Sequence, residues 1–132
     1  MSSLQRETFK NLAVKEKLKN YGNWLKAKVF KDHFSGVQIR DDKETMELLT
    51  PVVEEIYGEA KSYECQVLRI VKTTYITSSK PASIIPIRTI SAPWRCGESP
   101  EDLAELAVGD KVEFEKRILV EAGIDLILAR RH

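Results

Sequence analysis

Residues 65–77, with the sequence CQVLRIVKTTYIT, decide the fold class of this chain. Most positions are apolar or β-branched and the run contains neither Gly nor Pro, which is typical of a strand. Residues 83–91 form a second run with four isoleucines, and Pro86 stands in its middle. Because proline cannot donate a hydrogen bond to a neighbouring strand, we expect this strand to lie at a sheet edge or to carry a bulge. Residues 78–81, SSKP, are predicted to separate the two strands.

The C-terminal part of the chain predicts a hairpin. Apolar and charged side chains alternate over much of residues 111–120, apolar side chains recur over residues 124–129, and residues 121–123 supply a glycine-containing turn. Upstream, the pair Ser99-Pro100 is typical of a helix start, and we expect a short helix there that ends at Gly109.

The N-terminal forty residues predict a helix followed by two strands. A helix capped by Ser2 or Ser3 is expected to end near Gly22, since glycine favours the left-handed conformation at a C-cap. Residues 24–30 alternate between apolar side chains and lysines, which predicts a half-buried strand. Residues 37–40 are predicted to form a short return strand.

A second helical region is predicted near residues 43–60, where apolar side chains recur every three or four positions. Pro51 lies inside it and predicts a kink or two short helices. The 132 residues, of which 42% are hydrophobic, have the size of one domain. We therefore predict a single α+β domain over residues 1–132. Its core is a small antiparallel or mixed β-barrel or a strongly twisted sheet, with an N-terminal helix, the second helical region and a C-terminal hairpin.

The charge of the chain is unevenly distributed. Its net charge of +1 comes from 21 basic and 20 acidic side chains. Residues 1–40 carry +6, residues 41–64 carry −6, residues 65–97 carry +5 without any acid, and residues 98–116 carry −5. The total excludes a uniformly basic protein, but the blocks are compatible with one basic face.

The sequence contains none of the usual motifs of nucleotide, zinc-protease, calcium or serine-hydrolase sites. His33 and His132 are the only histidines, and His33 is expected to be an exposed turn residue. Cys65 and Cys96 are expected to be reduced thiols in or near the core, with a disulfide between them as the alternative. We expect no cofactor and no metal, and the sequence favours a protein without enzymatic activity while leaving that question open.

The acid-free residues 65–97 are the candidate binding surface. Arg and Lys side chains, supported by Ser and Thr hydroxyls, contact phosphates, and aromatic rings stack on unpaired bases. We therefore predict a non-enzymatic accessory module that binds single-stranded nucleic acid, and the lysine-rich residues 10–31 offer a second basic face. The predicted nucleic-acid-binding residues are Arg69, Lys72, Tyr75, Lys80, Arg88, Trp94 and Arg95.

Two alternatives stay open. In one, the basic side chains of residues 65–97 pair with the two acidic blocks inside the same chain. In the other, the protein is an interaction module that forms a homo-oligomer through complementary charge blocks or through an edge strand at residues 84–90.

No apolar run is long enough for a membrane helix and the first residues lack a signal-peptide core, so we expect a cytoplasmic protein without a membrane partner. Thirteen Lys and fourteen Glu against three Asn and three Gln are a thermophile tendency.

Overall fold

The computed structural model describes residues 4–90 and 93–131, and over these residues the chain forms nine strands and two helices. The predicted α+β class is confirmed. The elements are β1 (Gln5–Thr8), α1 (Leu12–Leu25), β2 (Lys31–Phe34), β3 (Val37–Arg40), α2 (Lys43–Tyr57), β4 (Tyr63–Ile70), β5 (Thr74–Thr89), β6 (Trp94–Gly97), β7 (Leu103–Leu106), β8 (Asp110–Val120) and β9 (Ile124–Arg131).

The strands form one antiparallel sheet in the order β2-β3-β4-β9-β5-β8-β6-β7, and β1 also pairs with β8. The sheet is not closed, because β2 and β7 lie at its two ends. The predicted antiparallel sheet is therefore confirmed, whereas a closed barrel and a mixed sheet are not. The long central strands β5 and β8 hold the sheet together through their extended pairing.

Two buried clusters lie on opposite faces of this sheet. Apolar side chains from β3 to β9 form the first cluster on one face, with Trp94 and Phe114 as its largest members. The other face of β4, β5 and β9 packs against both helices and forms the second cluster. Burial of apolar area on both faces explains why the strands contain long apolar runs rather than strict alternation.

Helix α1 extends further than predicted. It passes through Gly22 and ends at Leu25, and Asn11 caps its start by accepting a hydrogen bond from the Ala13 amide at 2.8 Å. The predicted stop at Gly22 and the predicted strand over residues 24–30 are wrong, because the helix buries both Tyr21 and Leu25 against the rest of the molecule. The predicted caps Ser2 and Ser3 lie outside the described residues.

The reason for Gly22 is close packing rather than helix termination. A Cβ atom at this position would lie 2.8 Å from the carbonyl oxygen of Ile87 and 3.3 Å from the Cβ of Arg88. Only glycine therefore allows α1 to approach the backbone of β5 this closely.

Helix α2 is continuous through Pro51, so the prediction of two short helices is wrong. Leu49, Val52 and Val53 are buried around the proline and hold both halves of the helix against the sheet. This packing offsets the roughly 3 kcal/mol that an internal proline costs a helix. The helix ends at Gly58, which adopts the left-handed conformation with a φ of 85°.

Strand β5 continues through residues 78–81, where a break was predicted. The chain accommodates its extra residues as a bulge between Ser78 and Ala82. A second register shift follows Pro86, which confirms the bulge. β8 pairs with β5 only as far as Ile84, so residues 85–89 pair with β9 alone among the described strands. Pro86 therefore lies where β5 has a strand neighbour on one side only.

The short helix predicted before Gly109 is wrong. Residues 103–106 form β7, which pairs with β6. A Cβ atom on Gly97 would lie 1.9 Å from the carbonyl oxygen of Asp102, so the loop between these strands closes tightly over a glycine.

The prediction of a C-terminal hairpin is correct for the turn but wrong for the pairing of the two strands. Residues 121–123 connect β8 to β9 as predicted. These two strands do not pair with each other, because they bind opposite sides of β5. A pattern read along the chain favours pairing of neighbouring strands and does not reveal that a third strand lies between them.

Candidate nucleic-acid interface

Two predicted binding residues, Arg69 and Arg88, are bound to one buried acid. Arg69 on β4 and Arg88 on β5 lie on either side of Asp125 on β9. The fully buried Asp125 carboxylate accepts hydrogen bonds from Arg69 Nε at 2.7 Å, Arg69 Nη2 at 3.0 Å and Arg88 Nη1 at 3.3 Å. The Arg69 guanidinium also lies 4.1 Å from the centre of the Phe30 ring. Arg69 is therefore largely part of the folded interior.

Two further predicted residues, Trp94 and Arg95, contact Glu121. The Trp94 ring is 1% exposed, and its indole Nε1 donates to the Glu121 carbonyl oxygen at 2.6 Å. Arg95 donates from Nε and Nη2 to the two carboxylate oxygens of Glu121, at 3.0 and 2.8 Å. A ring buried this deeply presents no face to a base, so the predicted stacking role of Trp94 does not fit the fold.

The acids that neutralise these arginines come from the C-terminal residues 117–131 rather than from the acidic blocks. Asp125 and Glu121 both lie in that segment. The −6 block instead pairs with the N-terminal basic block, as in the Lys17–Glu55 contact at 3.4 Å and the Lys31–Asp41 contact at 3.1 Å. Internal pairing therefore occurs, but with different partners from those expected.

The remaining predicted residues, Lys72, Tyr75 and Lys80, are not drawn into the acid pairs. Lys72 and Lys80 are exposed, and neither forms an ion pair within residues 4–90 and 93–131. The half-buried Tyr75 ring is covered on one face by the Arg117 guanidinium at 4.3 Å. Of the five basic residues predicted to bind nucleic acid, Arg69, Arg88 and Arg95 are thus neutralised by acids of the same chain, whereas Lys72 and Lys80 have no ion pair among the described residues.

A different basic surface lies between α1 and β5, and we call it the α1–β5 cleft. It has a volume of about 540 Å³, and none of the described residues that line it carries a carboxylate. The lining residues are Lys15, Lys19, Gly22, Asn23, Lys26, Ile87, Arg88, Thr89 and Val108.

The three lysines of the α1–β5 cleft carry uncompensated charge. In the part of the chain that the structure describes, Lys15, Lys19 and Lys26 form no ion pair. Their spacings of four and seven residues place them on one side of the helix, in line with Gly22. The close approach that Gly22 permits brings this lysine row beside the polar residues at the end of β5.

The sequence predicts only one side of this cleft. It indicates a second basic face at residues 10–31, and it shows the four- and seven-residue spacing of the lysines. The misplaced helix end at Gly22 hid Lys26, which caps α1 in helical conformation. Nothing local indicates that β5 forms the opposite wall.

His33 and the two cysteines lie on three different strands, β2, β4 and β6. His33 lies exposed on β2, and no cluster of three metal-ligating side chains occurs among residues 4–90 and 93–131. Cys65 and Cys96 are both free and belong to different buried clusters, which confirms reduced thiols. Burial raises the pKa of Cys65 to about 11 and that of Cys96 to about 12, so neither thiol ionises readily.

Comparisons with known proteins do not extend this picture. No protein-family model matches the chain, and no curated protein matches it significantly in sequence. Neither of the two described helices is long and apolar enough to span a membrane. The functional argument therefore rests on the arrangement of the chain's own side chains.

Proposed function

We propose that this protein is a non-enzymatic nucleic-acid-binding module and that it holds phosphates in the α1–β5 cleft. The observation that carries the proposal is the row of Lys15, Lys19 and Lys26 beside Arg88, in a cleft whose described lining residues include no carboxylate. Lysine and arginine supply most phosphate contacts in nucleic-acid complexes, and hydroxyl and amide side chains support them. Thr89 and Asn23 are available for that supporting role.

The dimensions of the lysine row suit a polyanion. Lys15 and Lys26 are separated by about 16 Å along the helix axis, at the usual rise per residue. This span equals roughly five base-pair steps of duplex DNA. A row of this length can contact several consecutive phosphates, whereas a single small anion would satisfy only part of it.

Among the described residues no aromatic side chain lines the α1–β5 cleft, which favours phosphate contacts over base stacking there. The Trp24 ring is stacked on Tyr21 at 5.9 Å between centres, and Lys28 lies 4.8 Å from its centre. Trp94 is buried and Tyr75 is partly covered, so the two residues predicted to stack offer little ring surface to unpaired bases. The sequence predicts single-stranded nucleic acid as the partner, but binding through phosphates should accept duplexes as well.

A salt titration with a labelled duplex and a matched single strand tests this proposal. The count is four phosphates if each of the three lysines neutralises one and Arg88, which shares the Asp125 carboxylate with Arg69, neutralises a fourth. Four neutralised phosphates predict a slope of about −3.6 in log affinity against log salt for a duplex, or about 150-fold weaker binding at 200 than at 50 mM salt. For the single strand the expected loss is about 50-fold. Absence of binding at 50 mM salt would refute the function itself.

Two matched triple variants localise the binding surface. Replacing Lys15, Lys19 and Lys26 by Ala lowers the net charge from +1 to −2 and should reduce the duplex slope to about −0.9. Replacing Lys31, Lys43 and Lys61 by Ala changes the charge equally but leaves the cleft intact. Equal effects of the two variants would contradict a specific role of the cleft.

The alternative proposal is an assembly module, which the free sheet edges β2 and β7 support. Phe34 on β2 is also 46% exposed. Light scattering at low salt should then give a defined oligomer that Phe34→Ser dissociates. A monomer at high protein concentration would refute assembly.

A further inference from the structure

A second basic cleft lies away from α1, at the bulge of β5, and we call it the bulge cleft. It has a volume of about 470 Å³. Its lining residues are Glu64, Thr77, Ser78, Ser79, Lys80, Arg130 and Arg131. Among these described lining residues, three cations and three hydroxyl side chains share the cleft with one carboxylate.

The bulge itself is an ordered feature. Ser78 pairs with Lys116 and Ala82 pairs with Phe114, so three residues of β5 stand opposite one residue of β8. Ser78 Oγ donates a hydrogen bond to the Lys80 carbonyl oxygen at 2.6 Å, which fixes the bulged segment. Lys116 has a φ of 68°, an uncommon conformation for a residue with a side chain. Paired distortions of this kind redirect side chains and are frequent beside functional sites.

Arg130 is the central cation of the bulge cleft. Its Nε donates to Ser78 Oγ at 3.0 Å, and its Nη1 and Nη2 make long contacts of 3.4 Å to Gln66 Oε1 and 3.5 Å to the Thr77 carbonyl oxygen. All three acceptors are neutral. Across residues 4–90 and 93–131, no carboxylate lies within ion-pair distance of this half-buried guanidinium.

Part of the hydrogen-bonding capacity of the cleft is not used by contacts among the described residues. A guanidinium has five N–H donors, and only one of those on Arg130 forms a bond of ordinary length. Lys80 and Arg131 are exposed at the rim, as are the Ser79 and Thr77 side chains. Ser78 is already fully engaged, so its role is to position Arg130 rather than to bind a ligand.

We propose that the bulge cleft binds the phosphate group of a phosphate monoester, with Arg130 as its principal donor. The lining cations exceed the single carboxylate Glu64 by two charges, which matches a phosphate dianion. A monocarboxylate would leave one positive charge uncompensated. The volume exceeds what a bare phosphate needs, which leaves space for the group that carries it.

This site is separate from the α1–β5 cleft, with which it shares no lining residue. The proposed ligand, a phosphate monoester, also differs in charge from the internal phosphodiesters proposed there, which carry one negative charge per phosphate. Two sources could supply a phosphate monoester: a free small molecule, or the phosphorylated end of a nucleic-acid strand.

Calorimetric titration of the full chain with inorganic phosphate, at low ionic strength and pH 7.5, tests the proposal. We expect saturable binding of one phosphate per chain, and at least tenfold weaker binding by Arg130→Gln, as expected when charge-assisted hydrogen bonds are removed. Arg95→Gln removes the same charge outside the cleft and should bind phosphate as the unmodified protein does. Acetate, titrated in the same way, should bind at least tenfold more weakly than phosphate.

A double variant at the exposed rim of the cleft provides a second test in case Arg130→Gln does not fold. Lys80 and Arg131 are exposed, so replacing both by Ala should preserve the thermal midpoint while weakening phosphate binding several-fold. Unchanged affinity in this folded variant and in Arg130→Gln, or no saturable binding by the unmodified protein, would overturn the proposal.

The source of the phosphate is distinguished with two otherwise identical oligonucleotides, one with a 5′-phosphate and one with a 5′-hydroxyl. Tighter binding of the phosphorylated strand that Arg130→Gln abolishes identifies a strand end as the ligand. Equal binding of both strands, with inorganic phosphate still bound, identifies a free small molecule. The triple lysine variant of the α1–β5 cleft should leave phosphate titration unchanged, so the two proposals can fail separately.

Discussion

Replacing Asp125 by Asn should be among the most destabilising conservative substitutions in this chain. The carboxylate is fully buried and is the only acid that contacts Arg69 and Arg88 among the described residues. Asn keeps the shape and one acceptor oxygen but removes the charge, so two poorly hydrated guanidinium groups lose their counter-charge. Removing one partner of a buried ion pair costs about 3–5 kcal/mol.

That cost is large compared with the total stability of a domain of this size. For 132 residues, 3–5 kcal/mol corresponds to a fall of roughly 10–20 °C in the thermal midpoint. Urea unfolding followed by circular dichroism measures the free energy of unfolding directly. Asp41→Asn removes an acid from the exposed pair with Lys31 and should leave the midpoint unchanged within error.

The double variant Arg69→Gln with Asp125→Asn completes the test. If the two charges stabilise each other as the geometry indicates, the second substitution should cost much less in the presence of the first. A loss below 1 kcal/mol for Asp125→Asn, or full additivity in the double variant, would refute this account of the Asp125 contacts.

Two further predictions concern packing and acid sensitivity. Gly22→Ala should destabilise the protein by about 1–3 kcal/mol in urea unfolding, because the added Cβ would meet the Ile87 carbonyl oxygen. Asn20→Ala at an exposed position of the same helix should be neutral or slightly stabilising, and a stabilising Gly22→Ala would contradict the close contact. Below about pH 4.5 the protein should lose stability progressively, since hydrogen bonds from Thr45 and Arg95 lower the pKa values of Asp42 and Glu121 from 3.8 and 4.5. Burial opposes the same effect at Asp110, but hydrogen bonds from Ala107, Thr8 and Arg6 still lower its pKa. Carboxylates of this kind stabilise the fold above their unfolded pKa and cease to do so as pH falls through the folded value. Equal urea midpoints at pH 6 and pH 3 would contradict this expectation.

Local patterns in the sequence predicted the type of an element correctly where the pattern of apolar side chains alone determined it. The apolar periodicity of α2 and the β-branched residues of β4 gave elements of the correct type. Gly22 predicted the end of a helix, and Pro51 predicted a kink or a division into two short helices. Both residues lie inside continuous helices. Their positions are decided by contacts with the sheet, which no local pattern contains.

The acids that pair with the predicted binding residues were harder to predict, because these contacts depend on the order of the strands in the sheet. Arg69, Asp125 and Arg88 lie far apart in the sequence, and they meet because β9 is inserted between β4 and β5. The same insertion separates β8 from β9, contrary to the predicted hairpin. Without that order, the three arginines of residues 65–97 appear free, although two are bound to Asp125 and one to Glu121.

The absence of acids from residues 65–97 nevertheless has a structural consequence that differs from the predicted one. Helix α1 directs Lys17 toward Glu55 of the acidic helix α2, where its charge is neutralised. The row of Lys15, Lys19 and Lys26 lies beside β5, and the part of β5 that lines the α1–β5 cleft contributes Arg88 and no carboxylate. The lysines on the β5 side therefore keep their charge because the strand next to them is acid-free. The main role of the acid-free residues 65–97 is therefore to form one wall of the α1–β5 cleft. Because this wall carries no carboxylate among the lining residues described, the lysines of α1 stay available to bind phosphate.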